Sequence, residues 1–395
     1  MQSISTIGLD IAKSVFQVHG VDAVGQVVMR RQLRRRHVLT FFQKLPPCLV
    51  GIEACASSHY WSRELQTLGH TVRLMPPAYV RPYVKRHKND ATDAEAICEA
   101  VARPSMRFVP TKTVEQQSCL MLHRARHLFI RQQTAVINSI RAYLAEFGII
   151  APVGRRGVEQ LLEVVADKAD YRLPEVARAC LAALGSQLRA MKTQILEFDR
   201  RIIAWHRSNA TSKRLDAIPG VGPALATALV ASIADPEAFR SGRDFSAWVG
   251  LVPKQNSSGG KDKLGSISKQ GDRYLRSLFT AGALAVIRYA KIHGTQHRPW
   301  LTALLARRPT KVAAIALANK LARMHGPRAA LEQNGPKRAL QLADCTRHLA
   351  VAGRVRVEAP AGIGDDEALQ RGRDLGVGTG CALRQGVSDV RRGVP

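Results

Sequence analysis

Acidic residues are scarce in this chain of 395 residues: 31 Asp and Glu stand against 59 Lys and Arg, a formal charge of +28. With a pI near 10.6, such an excess must find anions to sit beside, and nucleic acid is the leading partner. Long apolar runs are missing as well. None approaches the roughly 18 residues that a spanning helix needs, so no membrane partner is expected. Cysteine is sparse and unpatterned: Cys48, Cys55, Cys98, Cys119, Cys180, Cys345 and Cys381 are odd in number and never form C-x-x-C. That suggests neither a disulfide framework nor a cysteine zinc site and fits reduced thiols. The opening MQSISTIGLDIAK lacks the basic and apolar regions of a signal peptide, so the protein is expected to stay in the cytoplasm. Aromatic residues stop at Trp300, and glycine recurs from Gly353 to Gly393. The tail over 327–395 is therefore expected to lack a packed core.

What is present begins with short β-rich runs: STIGLDIA, SVFQVHGVD, GQVVMRRQL, CLVGIEA and TVRLMP. Helical stretches near His37–Lys44 and Tyr60–Leu68 separate the later ones. A meander of three strands followed by helix, strand, helix, strand is the layout of the ribonuclease H type of α/β fold. A helix is predicted next, from Asp90 to Ala102.

Four acids stand at meaningful places in this pattern. Asp10 closes the first strand and Glu53 the fourth, while Asp90 and Asp93 open the helix in KNDATDAEAI. A spacing of three puts the last two on one helical face, and all four carboxylates can converge. Mg²⁺ prefers hard oxygen ligands, and phosphodiester chemistry uses such ions on entering and leaving oxygens. Read one at a time, these acids have a commoner structural fate, Asp90 as an N-cap and Asp93 as a partner of the helix dipole. Glu95, one step off their face, is expected to be exposed.

Beyond them, Val114 to Phe147 reads as one long helix, with Leu122, Phe129, Val136 and Tyr143 seven residues apart. Leu181, Leu184, Leu188, Met191, Ile195, Phe198, Ile202 and Trp205 step by three and four, the pattern of a coiled coil. The two helices would flank a linker around 151–173 and pair as an antiparallel hairpin within one chain or across a dimer. From Ser212 to Met324 a mostly helical region is expected, with helices around Ala224–Ile233, Asp244–Val249, Asp272–Ala290 and Lys311–Met324.

Two motifs in that region bear on nucleic acid. IPGVGPALA places Gly220 and Gly222 between helical runs, like a helix-hairpin-helix turn whose backbone N–H groups approach a phosphate, or like a plain connection. Farther on, Ser257 and Ser258 precede two glycines in what reads as a flexible loop among Lys254, Lys261, Lys263, Lys269, Arg273 and Arg276. Serine needs such assistance to act as a nucleophile. Further basic clusters, Arg30, Arg31, Arg34, Arg35 and Arg36, then Lys85, Arg86 and Lys88, are candidate grips on a backbone.

Together GLDIAK, IEACASSHYW, KNDATDAEAICEA, RQQTAVINSIRAYLAEFGI, IPGVGPALA and FSAWVGLVPKQNSSGGKDKLGSISKQGDRYLR resemble, in order over about 5–324, the DEDD transposases of the insertion sequence 110 family, especially its 1111 subgroup. The resemblance implies a RuvC-like domain over 1–110 with a metal-binding tetrad of Asp10, Glu53, Asp90 and Asp93 holding Mg²⁺ or Mn²⁺. It implies coiled-coil helices over 111–210 and a helical transposase domain over 211–326, in which Ser258 matches the catalytic serine and Ser257 is the minor alternative. It also implies a covalent 5′-phosphoserine link to DNA, donor and target DNA selected by a bridge RNA, composite sites in a dimer or tetramer, and a place beside the bacterial nucleoid. The stretch from HGPRAALEQNG onward departs from the family pattern, as a frameshift or divergent ending would leave it. Two other functions fit the residues: a junction nuclease that activates water with the same acids, and a basic nucleic-acid-binding protein without catalysis.

Overall fold

The computed structural model describes residues 4–84, 89–261, 263–294 and 299–324. The expected tail and the basic cluster at Lys85, Arg86 and Lys88 lie outside these residues. The described residues divide into two compact units, one of those up to Arg126 together with those from Leu196 onward, and one of residues 127–195.

In the first unit, β1 (Thr6–Ile11), β2 (Val15–Val21) and β3 (Val27–Arg34) form the expected antiparallel meander. β4 (Leu49–Glu53) adds parallel to β1, and β5 (Thr71–Met75) parallel to β4, so the order is β3-β2-β1-β4-β5. α1 (Val38–Gln43) and α2 (Ser58–Thr67) fill the intervals between β3, β4 and β5, and α3 (Pro77–Val80) and α4 (Asp90–Val101) follow. Strand alternation sends Ile7, Leu9, Val50 and Ile52 to one face. There they join Phe42, Trp61 and Leu65 from α1 and α2 in a single core.

The opposite face is read from its glycines. A Cβ at Gly8 would stand 2.1 Å from the Ala94 carbonyl oxygen, and one at Gly51 would stand 2.8 Å from Cβ of Val101. Only glycine at these places lets α4 lie directly on β1 and β4. Met75, Ala96, Ile97, Ala100 and Val101 seal that side.

α5 (Val114–Ala145) is the long helix expected, and α7 (Glu175–Ser208) carries the heptad pattern. The stretch between them, expected as a linker over 151–173, holds a third helix, α6 (Arg155–Ala166). Its Val158, Leu161 and Val165 are buried with Ile140 and Leu144 of α5 and with Leu181 and Leu188 of α7. The second unit thus has a three-helix core, because a spacing of three and four on α6 makes an apolar stripe that must be covered.

Returning to the first unit, α8 (Ala210–Asp216), α9 (Pro223–Ser232), α10 (Gly242–Val249), α11 (Arg273–His293), α12 (Pro299–Arg307) and α13 (Thr310–Met324) surround a core that includes Leu225, Phe245, Phe279, Ala283 and Leu317. β6 (Pro253–Gln255) and β7 (Leu264–Ile267) project from it as an antiparallel pair where a flexible loop was expected. Among the described residues no helix is long and apolar enough to cross a membrane.

Candidate active site

Asp10 sits near the end of β1 and Glu53 is the last residue of β4. The parallel register pairs Leu9 with Ile52, so one step on, the two acids share an edge of the sheet. Asp90 and Asp93 occupy the first turn of α4, but neither caps it. Asn89 is the N-cap, its side chain accepting from the Ala91 N–H at 3.0 Å, which corrects the simple capping role for Asp90. Glu95 is half-buried rather than exposed and pairs with Arg30 at 3.7 Å.

Asp10 feels the charge of the other three acids. Burial, then the charges of Asp93, Asp90 and Glu53, push its carboxyl up to about 6. Like charges gathered on a half-buried carboxylate favour its neutral form until a cation answers them. Among the described residues no three His, Cys, Asp or Glu side chains are drawn together tightly enough to grip one ion. The donor set is nevertheless all carboxylate oxygen, which suits Mg²⁺ or Mn²⁺ and not a soft metal.

Ser257 and Ser258 fall in the connection between β6 and β7, both exposed. The Ser257 hydroxyl accepts from the Lys263 N–H at 3.3 Å and from Gln255 Nε2 at 3.2 Å, which ties it into the hairpin. Ser258 opens the turn, its carbonyl accepting from the Lys261 N–H at 3.1 Å. Gly259 and Gly260, at φ of 56° and 75°, supply the two left-handed positions of such a tight turn. The hydroxyls are therefore presented on a defined hairpin tip.

The expected phosphate contacts divide. Lys254, Lys261, Lys263, Lys269 and Arg273 are exposed, as a backbone contact requires. Arg276 instead turns inward and donates to the carbonyls of Val249 at 2.8 Å and Gln270 at 3.2 Å, closing the end of α10. In the Pro-Gly-Val-Gly turn between α8 and α9, Gly220 is also spent on packing: a Cβ there would meet Val286 at 3.0 Å, and one at Gly282 would stand 1.9 Å from the Gly220 oxygen. Gly222 has open space around it and caps α9. Of the arginine cluster on and after β3, Arg31 lies over Phe41 and Arg35 over Phe16 and Trp61.

One polar network had no signal in the sequence, because His123 lies more than a hundred residues from either of its partners. His123 of α5 pairs Nδ1 with the Tyr274 hydroxyl at 2.9 Å and Nε2 with Thr227 Oγ1 at 3.0 Å. Thr227 donates its own proton to the Pro223 carbonyl at 2.7 Å, so Nε2–H must donate to Thr227 and Nδ1 accept from Tyr274. Burial pushes His123 down to about 4 and Tyr274 up to about 12. This locks the start of α11, which follows the serine hairpin directly, against α5 and α9.

Residues 7–149 match a family model described as a transposase, of the DEDD insertion sequence 110 type, and residues 212–298 match one described as the IS116/IS110/IS902 transposase family. The chain is 51% identical, over 82% of its length and 96% of the relative, to a probable family 20 transposase of Pseudomonas aeruginosa. It is 37% identical to the transposase for insertion sequence element IS1328 of Yersinia enterocolitica, over 82% of this chain and 96% of that one. It is 39% identical to the transposase for insertion sequence element IS1111A of Coxiella burnetii, over 81% and 88%.

Proposed function

The chain belongs to the IS116/IS110/IS902 family of transposases, and on that premise we propose that it cuts and rejoins DNA through Ser258 beside a divalent-metal site formed by Asp10, Glu53, Asp90 and Asp93. What supports the reading most is the placement of the acids: the β1–β4 register sets Asp10 beside Glu53 at one edge of the sheet, and Asp90 and Asp93 stand in the first turn of the helix that lies on β1. The strand order β3-β2-β1-β4-β5 supports the assignment of 1–110 to the RuvC-like, ribonuclease H type of fold. Residues 111–210 form the coiled-coil region and 211–326 the transposase domain in this reading.

Bound by these carboxylates, Mg²⁺ or Mn²⁺ would supply Lewis-acid stabilisation to the phosphate oxygens. Ser258 Oγ forms the bond to phosphorus as the bond from phosphorus to the 3′-oxygen breaks, and the hydroxyl proton ends on that 3′-oxygen. The product is a 5′-phosphoserine and a free 3′-hydroxyl. Rejoining reverses the exchange, with a 3′-hydroxyl displacing the serine. The exposed Lys261 and Lys263 beside the tip favour the charge that develops on the phosphate. Ser258 is preferred to Ser257 because the latter is tied into the hairpin.

The charge of +28 can serve a second polyanion beside DNA, in this reading a bridge RNA, with sites assembled from two chains of a dimer or tetramer. The protein would act in the cytoplasm at the nucleoid.

The test is a denaturing gel of purified protein with Mg²⁺, cognate RNA and labelled donor and target DNA. A covalent protein–DNA adduct is expected, absent in Ser258→Ala. Free cleaved ends in both proteins would replace this reading with the water-using nuclease, and adduct retained in Ser258→Ala would remove the serine from its role. Asp10→Asn is expected to lose metal-dependent cleavage. Full activity without a divalent ion would exclude the tetrad.

A further inference from the structure

Across the sheet from Asp10 the same face carries a row of amides. Gly8, whose absent Cβ would meet the Ala94 carbonyl, marks the side of β1 on which α4 lies, and Asp10, two residues on, falls on that side. Residues paired directly across antiparallel strands share a face. The register therefore sets Asp10 beside Gln17 of β2, and Gln17 beside Gln32 of β3. In the next row it sets Gly8 beside His19, and His19 beside Arg30. With neighbouring strands about 4.8 Å apart, Gln17 stands one strand from Asp10 and Gln32 two, about 10 Å away.

α4 rests on β1 and β4, which leaves a trough between its first turns and the outer strands. A cavity of about 280 Å³ fills the trough, lined by Gln17, His19, Arg30 and Gln32 from the strands and by residues of α4 that include Thr92 and Glu95. That volume is just below the roughly 300–1,000 Å³ of small-ligand sites, so it has room for a unit of one strand and not for a duplex. A sheet face beside a helix is ordinarily apolar, whereas the four side chains that β2 and β3 turn to this one are all polar. Glutamine amides both donate and accept, as sugar and phosphate oxygens and base edges require. Arg30 reaches over the trough to Glu95 at 3.7 Å, in a pair open to water. Such a pair is weak, and a phosphate offers the guanidinium a bidentate partner in place of Glu95.

We propose that this trough is the bed for the DNA strand on one side of the cut. Gln17 and Gln32 hydrogen-bond the nucleotide next to the phosphate at Asp10, and Arg30 leaves Glu95 to hold the phosphate beyond it. A strand laid along this row is led to the acids by the sheet itself. This rests on the DNA-cutting reading above.

The full chain with its cognate RNA is titrated against fluorescein-labelled donor DNA by anisotropy across a salt series, with Ca²⁺ in place of Mg²⁺. Arg30→Ala is expected to weaken binding about tenfold and to flatten the slope of log K against log salt by about 1. Gln17→Ala with Gln32→Ala is expected to weaken it about tenfold at an unchanged slope, since no charge is lost. Glu95→Gln releases Arg30 and is expected to tighten binding about threefold or more. Glu99→Gln makes the same change in net charge at an exposed position one turn along α4 and is expected to change nothing comparable. If Arg30 and Glu95 served only the fold, both variants would lower Tm and neither would tighten binding. Both side chains reach solvent, so these two variants carry the test where the glutamine pair fails to fold. An unchanged slope in Arg30→Ala, or equal tightening by Glu95→Gln and Glu99→Gln, overturns the bed while leaving the function intact. A loss seen only with labelled RNA also overturns it, and a wild-type protein that binds no DNA overturns the function and the bed together.

Discussion

Gly8 and Ala94 meet without room for a single carbon between them: a Cβ on Gly8 would stand 2.1 Å from the Ala94 carbonyl oxygen. This contact sets α4 on β1 and so brings Asp90 and Asp93 to Asp10. Gly8→Ala is expected to push α4 outward, costing about 1–3 kcal/mol by overpacking. A lowered Tm should accompany a larger fractional loss of metal-dependent cleavage. Unchanged Tm and full cleavage would mean that α4 is not seated by this contact.

His123 supplies a pH dependence of defined sign. Its folded pKa lies near 4, below the usual 6.5, so the unfolded chain binds more protons between those values. The stability it contributes is complete above pH 6.5 and is lost as pH falls toward 4, by roughly 3 kcal/mol at the bottom of the window. Thermal melts across that range should fall more steeply for the wild type than for His123→Gln. Parallel curves would show that the imidazole is not held neutral.

The hairpin tip separates chemistry from folding. Gly260 sits at φ 75° with open space around it, so Gly260→Val strains the turn without touching a core. Cleavage is expected to fall by at least tenfold with Tm within a degree or so of wild type, as exposed changes away from packing usually allow. Ser257→Ala should retain a covalent adduct at reduced yield, since that hydroxyl only braces the hairpin. An adduct abolished by Ser257→Ala and kept in Ser258→Ala would reverse the two roles.

Arg276 and Lys263 make opposite cases. Lys263→Ala, at an exposed position, should flatten the salt dependence of DNA binding by about 1 and leave Tm alone. Arg276→Ala removes two carbonyl partners and should lower Tm while leaving the salt slope unchanged. Calorimetry and anisotropy on the same preparations decide it, and a Tm loss in Lys263→Ala would place that lysine in the fold.

The legible parts of the fold are those written in local periodicity. Alternation marked β1 through β5, and the starts of α1 and α2 fell within two residues of expectation. α6 is masked in the sequence although Val158, Leu161 and Val165 carry a helical spacing, because Pro, Gly and charge on either side read as a linker. β6 and β7 are three and four residues long and wholly or largely exposed, so they leave no apolar alternation to read.

What the sequence by itself determined is the inventory: an excess of positive charge, four acids at element ends, a serine before two glycines and the family these belong to. Those depend on residue identity and local spacing, which no fold can change. Only the tertiary structure decided which side chains were already spent. Arg276 on carbonyls, Gly220 against Gly282, and His123 neutral between Tyr274 and Thr227 all depend on partners brought in by packing. A hydrogen bond or a steric limit acts over a few ångströms of space and carries no trace of the distance along the chain.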